Sequence, residues 1–200
     1  MSVAAIRFLL AVGCALFLTG AESARAAPRG VIPRAAQAPT IDGQLDDWRG
    51  AFATPVNFGH ADWENRAAVF YYLWDDEYLY IGLDSLDREI FNRSPGPIYN
   101  GDGVEFYLDT REQPTPQWQP GAVHLFFTAA SNGKIEPRIQ IRPGIEAFKG
   151  ITTEGMAVAA RKTDYGYTLE FKLPWSKLGF TPAAGKEIGI DGCSSRRGQR

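Results

Sequence analysis

The run Ala67 to Trp74 alternates with period two, and both faces it makes are apolar. Val69, Tyr71 and Leu73 share one side, and Ala68, Phe70, Tyr72 and Trp74 share the other. Residues two apart line one face of a strand, so two-sided apolarity suits a strand buried between layers. Asp75-Asp76-Glu77 then breaks the run, and Tyr78 to Asp84 resumes it with Leu79, Ile81 and Leu83 on one face. Two such runs joined by a short polar break read as an antiparallel hairpin.

The same period recurs downstream. Val104, Phe106 and Leu108 point inward, while Glu105, Tyr107 and Asp109 point outward. Val123, Leu125 and Phe127 alternate with His124, Phe126 and Thr128. Ile135 to Ile141 and Met156 to Lys162 are weaker strands. Tyr167, Leu169, Phe171 and Leu173 face in, with Thr168, Glu170 and Lys172 facing out. Pro174 to Leu178 leaves that strand as a helical turn, and Ile188 and Ile190 open the last one. About eight or nine short strands with turn signals between them predict an all-β chain. The fold class expected is an antiparallel β-sandwich of immunoglobulin-like or jelly-roll type. Two connections are long: Ser85 to Gly103, and Thr110 to Gly121 with Pro114, Pro116 and Pro120. Loops of that length are often functional.

Residues 1–26 read as a signal peptide. Arg7 precedes an apolar run, Phe8 to Leu18, that is short for a bilayer span, and Ala24-Arg25-Ala26 is a small-x-small cleavage site. An uncleaved anchor and a lipid-anchored Cys14 are the rival readings. The expected location is secreted or periplasmic, with no membrane span after cleavage. Residues 27–37 read as a flexible leader, residues 38–191 as the sandwich, with a short strand and a turn at Pro39 to Gly43, and residues 192–200 as an irregular tail, either disordered or the product of truncation.

Charge and chemistry narrow the function. Loss of residues 1–26 removes Arg7, Arg25 and Glu22, leaving 19 basic against 22 acidic side chains. That balance argues against nucleic acid as a partner. Cys193 is alone in the mature chain, so packing and not an internal disulfide must hold it. There is no Gly-x-Ser-x-Gly, no Cys–His arrangement and no phosphate loop. Asp102 and Glu105 stand three apart, on opposite faces of a regular strand, which counts against a facing carboxylate pair. His60, His124 and Cys193 lack zinc-ligand spacing. No enzyme activity is expected.

A series of segments resembles carbohydrate-binding module family 9 and its DOMON-like relatives. They are Pro39-Thr40-Ile41-Asp42-Gly43 with Asp47-Trp48; Leu73 to Tyr80, ending at Asp84; Asp102 to Asp109; Tyr167 to Trp175; and Gly185 to Gly189. The resemblance implies a non-catalytic sugar-binding sandwich of the kind attached to glycoside hydrolases, its ligand a mono-, oligo- or polysaccharide. It places an aromatic, here Tyr99, before the strand whose Glu, here Glu105, bonds sugar hydroxyls. His124, on the next strand, could stand beside Glu105, the alternative being an ordinary surface histidine. Trp118 offers a second platform for a sugar ring, although no family motif places it there. Asp42, Trp48, Trp74, Glu170 and Trp175 are framework positions. No cofactor is expected beyond a structural calcium, for which Asp84 and Asp102 are candidates, with Asp87 and Glu89 nearby in sequence. Relatives that clamp sugar between two aromatics supply the second ring after the last strand, and no aromatic follows Phe180. One ring and a few hydrogen bonds support affinity of about 4 kcal/mol, or millimolar. Two other functions stand beside this one. A haem-binding electron-transfer domain would need Met156 paired with His60 or His124. A structural or docking domain of an envelope protein would need no small ligand.

Overall fold

In the computed structural model, residues 30–57, 67–87, 98, 102–112, 117–131 and 134–195 are described. Their strands are β1 Phe52–Asn57, β2 Ala67–Trp74, β3 Tyr78–Leu86, β4 Gly103–Asp109, β5 Ala122–Ser131, β6 Lys134–Ile141, β7 Ala157–Lys162, β8 Gly166–Pro174 and β9 Gly189–Ser195. They form two sheets of order β1-β2-β3-β8-β7 and β6-β5-β4-β9. Every pairing is antiparallel. Among the described residues no helix is long and apolar enough to cross a membrane.

The inward positions of the two sheets meet in one core. Phe70, Ile81, Leu83, Leu169 and Phe171 come from the first sheet, and Val104, Phe106, Leu125 and Phe127 from the second. Phe171 joins the layers: its ring lies 3.6 Å from that of Phe127 and 5.3 Å from that of Phe106. The parity of the aromatics in the sequence is therefore the parity of the core.

The outer face of the five-stranded sheet is closed as well. Trp48, Leu73 and Tyr80 form a second apolar cluster there, with Ile41, Leu45 and Tyr71 packed against it. The chain before β1 lies across this face because β3 carries Gly82. A Cβ on Gly82 would stand 2.9 Å from Leu45 Cδ2 and 3.4 Å from the Trp48 indole. The two-sided apolarity of β2 has its explanation here: one side meets the central core, the other meets this cover.

Glu170 fastens the cover. The alternation predicts it to face outward, and it does, but it is 0% exposed and not solvated. Its Oε1 accepts Trp48 Nε1–H at 2.5 Å, and its Oε2 accepts the amides of Asp42, at 2.9 Å, and Gly43. Gly43 makes this possible with φ +89, a left-handed conformation that glycine adopts without strain. Burial pushes the Glu170 pKa up, and the three donors pull it the other way.

Some expectations need correction. The segment expected to be a flexible leader is docked over 32–35. Trp74 extends beyond the end of β1, so its free backbone edge is paired by that segment instead. Ala35 N–H donates to Trp74 O at 2.8 Å, Trp74 N–H to Pro33 O at 3.3 Å, and the Trp74 indole N–H to Ile32 O at 3.0 Å. The short strand expected at Pro39 to Gly43 is a bend, and β1 lies later, at Phe52–Asn57, where the mixed pattern hides it. The last strand does not stop at 191. Gly192 and Cys193 continue it by pairing with Phe106 and Glu105, and the bare Gly192 leaves room for the Phe70 ring. Trp175 opens the expected helical turn, Trp175–Leu178, and its indole N–H donates to Asp75 O at 3.0 Å.

Replacing Glu170 by Ala strands two buried donors, the Gly43 amide and the Trp48 indole N–H, and a part-buried one, the Asp42 amide. At about 1–3 kcal/mol for each unsatisfied group, the loss should be about 3 kcal/mol or more. For a domain of this size that lowers the melting temperature by about 6–12 °C. A thermal melt of Glu170→Ala within about 2 °C of the native chain would show that the cover is not fastened by this residue.

Candidate functional site

With one outer face covered, the outer face of the four-stranded sheet is where a site can form. The register sets its rows. Glu105 stands opposite Cys193 and Phe126, and Phe126 opposite Gln140. Tyr107 stands opposite Asp191 and His124, and Thr128 opposite Arg138. Arg142 follows β6, with its amide held on His124 O at 2.9 Å.

Glu105, Tyr107, His124 and Arg142 form one hydrogen-bonded chain. Glu105 Oε2 accepts the Tyr107 hydroxyl at 2.9 Å and lies 3.1 Å from His124 Nε2. The other imidazole nitrogen, Nδ1, lies 3.2 Å from Arg142 Nη1. A guanidinium only donates, so Nδ1 is the acceptor and the proton of a neutral ring sits on Nε2, donating to Glu105. His124 is 1% exposed. Burial holds its pKa below the ordinary histidine value, with Arg142 acting in the same direction and Glu105 against it. Burial and the bond to Glu105 push the Tyr107 hydroxyl pKa up.

Aromatic rings stack on this chain. Tyr107 and His124 are 4.0 Å apart between ring centres and nearly parallel. Trp118 lies parallel to both, at 6.3 and 6.0 Å, and Phe148 meets its indole edge-on at 5.1 Å. The loop that carries Trp118 is tied at its base. Thr110 N–H donates to Gly121 O at 2.9 Å, and Arg111 grips Asp109 through Nε at 2.8 Å and Nη2 at 2.5 Å. Trp118 keeps part of its surface exposed. Beyond it, Arg142, Gly144, Glu146, Phe148 and Lys149 wall an open pocket at the end of the face.

The structure brings Glu105, His124 and Trp118 together, and His124 is a buried residue and not a surface one. Tyr99 lies outside the described residues, as does His60. Tyr107, Arg142 and Phe148 were not singled out from the sequence. The period of β4 already puts Tyr107 on the face of Glu105, but nothing local distinguishes it from an ordinary outward tyrosine. A haem has no axial ligand in His124, whose ring nitrogens are both engaged, and Met156 packs against the central core. Asp84 belongs to β3 and Asp102 immediately precedes β4, on the other sheet. Asp84 Oδ2 accepts the Tyr165 hydroxyl at 3.1 Å while Oδ1 is buried without a partner, and burial pushes its carboxyl pKa up. Glu89 lies outside the described residues. Among those described, no three or more His, Cys, Asp or Glu gather as a metal-binding group.

Comparison with known proteins agrees with this architecture. Residues 41–195 match the family described as carbohydrate family 9 binding domain-like. Over 155 residues, 76% of this chain, the sequence is 28% identical to endo-1,4-beta-xylanase A of Thermoanaerobacterium saccharolyticum and covers 12% of that protein. It is likewise 28% identical, over 76% of the chain, to exoglucanase XynX of Acetivibrio thermocellus, covering 13% of it. The chain thus spans about an eighth of the length of these relatives. A solved family 9 module from Caldicellulosiruptor kristjanssonii, in complex with cellotriose, superposes with a TM-score of 0.65 at 20% identity, covering 82% of this chain and 76% of that one. The same organism's module in complex with glucose gives 0.62 at 20% identity, covering 80% and 75%.

The neutral His124 carries a consequence for pH. The folded chain prefers the unprotonated ring, so on acidification the unfolded chain takes the proton first. The stability this contributes is complete above about pH 6.5 and is lost as pH falls through the lower folded value. Stability should therefore fall between about pH 7 and 5, by at most about 1.4 kcal/mol per pH unit from this group, and the melting temperature with it. His124→Gln should show a shallower fall; identical slopes for the two proteins would mean that folding does not shift the titration of this ring.

Proposed function

Because the chain belongs to the carbohydrate family 9 binding domain-like family, we propose that it holds a saccharide on the outer face of its four-stranded sheet and performs no chemistry on it. The observation that carries this reading is the juxtaposition of a partly exposed indole, Trp118, with the ordered polar chain of Glu105, His124 and Arg142. A pyranose needs a flat apolar surface for its C–H face and fixed polar groups for its hydroxyls. Trp118 supplies the first; Tyr99, which lies outside the described residues, is the ring the family resemblance offers as a second.

Glu105 supplies the principal acceptor. Its Oε2 is taken by Tyr107 and His124, which orients the carboxylate and presents Oε1 to a sugar hydroxyl. Arg142, held against His124 through Nη1, contributes donors at the other end of the chain. These side chains are already ordered, so a ligand loses little affinity to fixing them. The arrangement contains no activated nucleophile and no acid–base pair across an open site, and its histidine is locked between Arg142 and Glu105. It orients and binds.

The solved neighbours hold glucose and cellotriose, and the curated relatives are a xylanase and an exoglucanase. Glucose and short β-linked glucans are accordingly the first ligands to try. With residues 1–26 acting as an export signal, the module works outside the cytoplasm, where it keeps polysaccharide close to the machinery that degrades it.

Calorimetric titration with glucose, cellobiose and cellotriose tests this. Affinity near millimolar, about 4 kcal/mol, is expected. Trp118→Ala and Tyr99→Ala should each weaken binding about tenfold or more, and Glu105→Ala should bring it below detection. Absence of heat with every sugar at about 10 mM, ten times the expected dissociation constant, would rule the reading out.

A further inference from the structure

His124 sits in the polar chain with a cation on one side and an anion on the other. Its Nδ1 faces Arg142 Nη1 at 3.2 Å, and its Nε2 faces Glu105 Oε2 at 3.1 Å. Aromatic rings pack around it: Tyr107 at 4.0 Å between ring centres, Phe126 at 4.5 Å and Trp118 at 6.0 Å. The imidazole is buried, whereas Arg142 is exposed. Among the described residues, the ionisable groups that face the imidazole are Glu105 and Tyr107 of β4 and Arg142 after β6. Asp191 and Cys193 of β9 stand one strand further away, opposite Tyr107 and Glu105.

A neutral imidazole has one accepting nitrogen, and here it points at a guanidinium. It is the acceptor that holds Arg142 against the face. A second proton removes that acceptor. Nδ1–H then meets Nη1–H, and two positive charges stand at hydrogen-bonding distance in a place partly shielded from water. The histidine is packed among rings and the arginine is exposed, so Arg142 is the group that moves away. Glu105 is affected as well. Paired with an imidazolium, its carboxylate is partly neutralised and becomes a weaker acceptor for anything else. Both changes act on the groups a sugar hydroxyl would use: the donors of Arg142 and the charge of Glu105.

We propose that His124 is the positioning residue of this face, acting through Arg142 and Glu105, so that a saccharide and a second proton on this ring exclude one another. This rests on the sugar-binding reading above. Burial holds the folded ring below the ordinary histidine value of about 6.5, so at neutral pH it is uncharged and Arg142 is in place. As pH falls through the folded value, the ring charges, Arg142 leaves and affinity drops. Linkage makes the effect reciprocal: a bound sugar disfavours the proton by the same factor by which the proton disfavours the sugar. The module therefore holds its ligand in neutral surroundings and releases it in acidic ones.

The test is to titrate glucose into the native protein, His124→Gln and Arg142→Gln at several values between about pH 7 and 5, with circular dichroism checking the fold at each. Native affinity should fall about fivefold across that range, the lower end of the usual coupling between two linked sites. His124→Gln, which cannot take the proton, should bind more weakly at pH 7 and show a flat profile. Arg142→Gln should also bind more weakly at pH 7, with the fall on acidification reduced. Should the substitutions prevent folding, the native chain alone decides: followed by NMR, the titration midpoint of the His124 ring must move down by about 0.7 pH when glucose saturates the site, the same fivefold factor seen from the proton's side. A native affinity that does not change with pH, a midpoint that glucose leaves in place, or an equal fall in His124→Gln overturns the inference and leaves the binding reading standing. Absence of heat with glucose at every pH overturns both.

Discussion

One buried carboxylate decides which side of this sandwich is available. A two-sheet sandwich has two outer faces, and each would serve equally well as a ligand platform if it were bare. Glu170 closes one of them. It draws the Asp42–Gly43 turn and the Trp48 indole onto the five-stranded sheet, and Gly82 lets Leu45 and Trp48 settle against the strand. The segment before β1 becomes part of the core, and the five-stranded sheet is buried on both sides. The candidate site lies on the outer face of the other sheet.

On the outer face of the four-stranded sheet the polar groups are arranged to be still. The chain from Arg142 through His124 to Glu105, with Tyr107 joining at the carboxylate, alternates donors and acceptors with only one assignment of protons for a neutral ring. Each group orients the next, and the aromatic stack of Tyr107, His124 and Trp118 presses the chain flat. Such order suits recognition more than catalysis. A catalytic histidine must exchange its proton with a substrate, whereas this one has both nitrogens committed to protein. Arg138 differs on the same face: its Nε and Nη2 are buried without a hydrogen-bond partner.

The positions that the sequence misplaced share a cause. Period-two alternation says which way a side chain points, and it is silent on what covers that side. Glu170 and His124 were both read correctly as outward, yet both are buried: one beneath the segment before β1, the other among Tyr107, Trp118 and Phe126. Similarly, 32–35 has no strand pattern of its own. It is ordered because the free edge of Trp74 lies beside it, a contact between residues about forty positions apart that no local rule contains. Strand β9 continues past 191 because its small residues fit against Phe70, and smallness alone does not signal a strand.

What the amino-acid sequence determined by itself was the alternation, the turns and the chemistry of single residues. From these came two antiparallel layers, the inward aromatics of the core, the outward position of Glu105 and the lack of a nucleophile motif. These follow from local geometry, since a pleated strand sends successive side chains to opposite faces whatever else the chain does. Only the tertiary structure decided which outer face would be sealed. It also decided that Glu105, Tyr107, His124 and Arg142 would become one hydrogen-bonded unit. Those outcomes depend on strand order and register, which bring together residues far apart in the chain, and on the close packing that turns a pointing direction into burial.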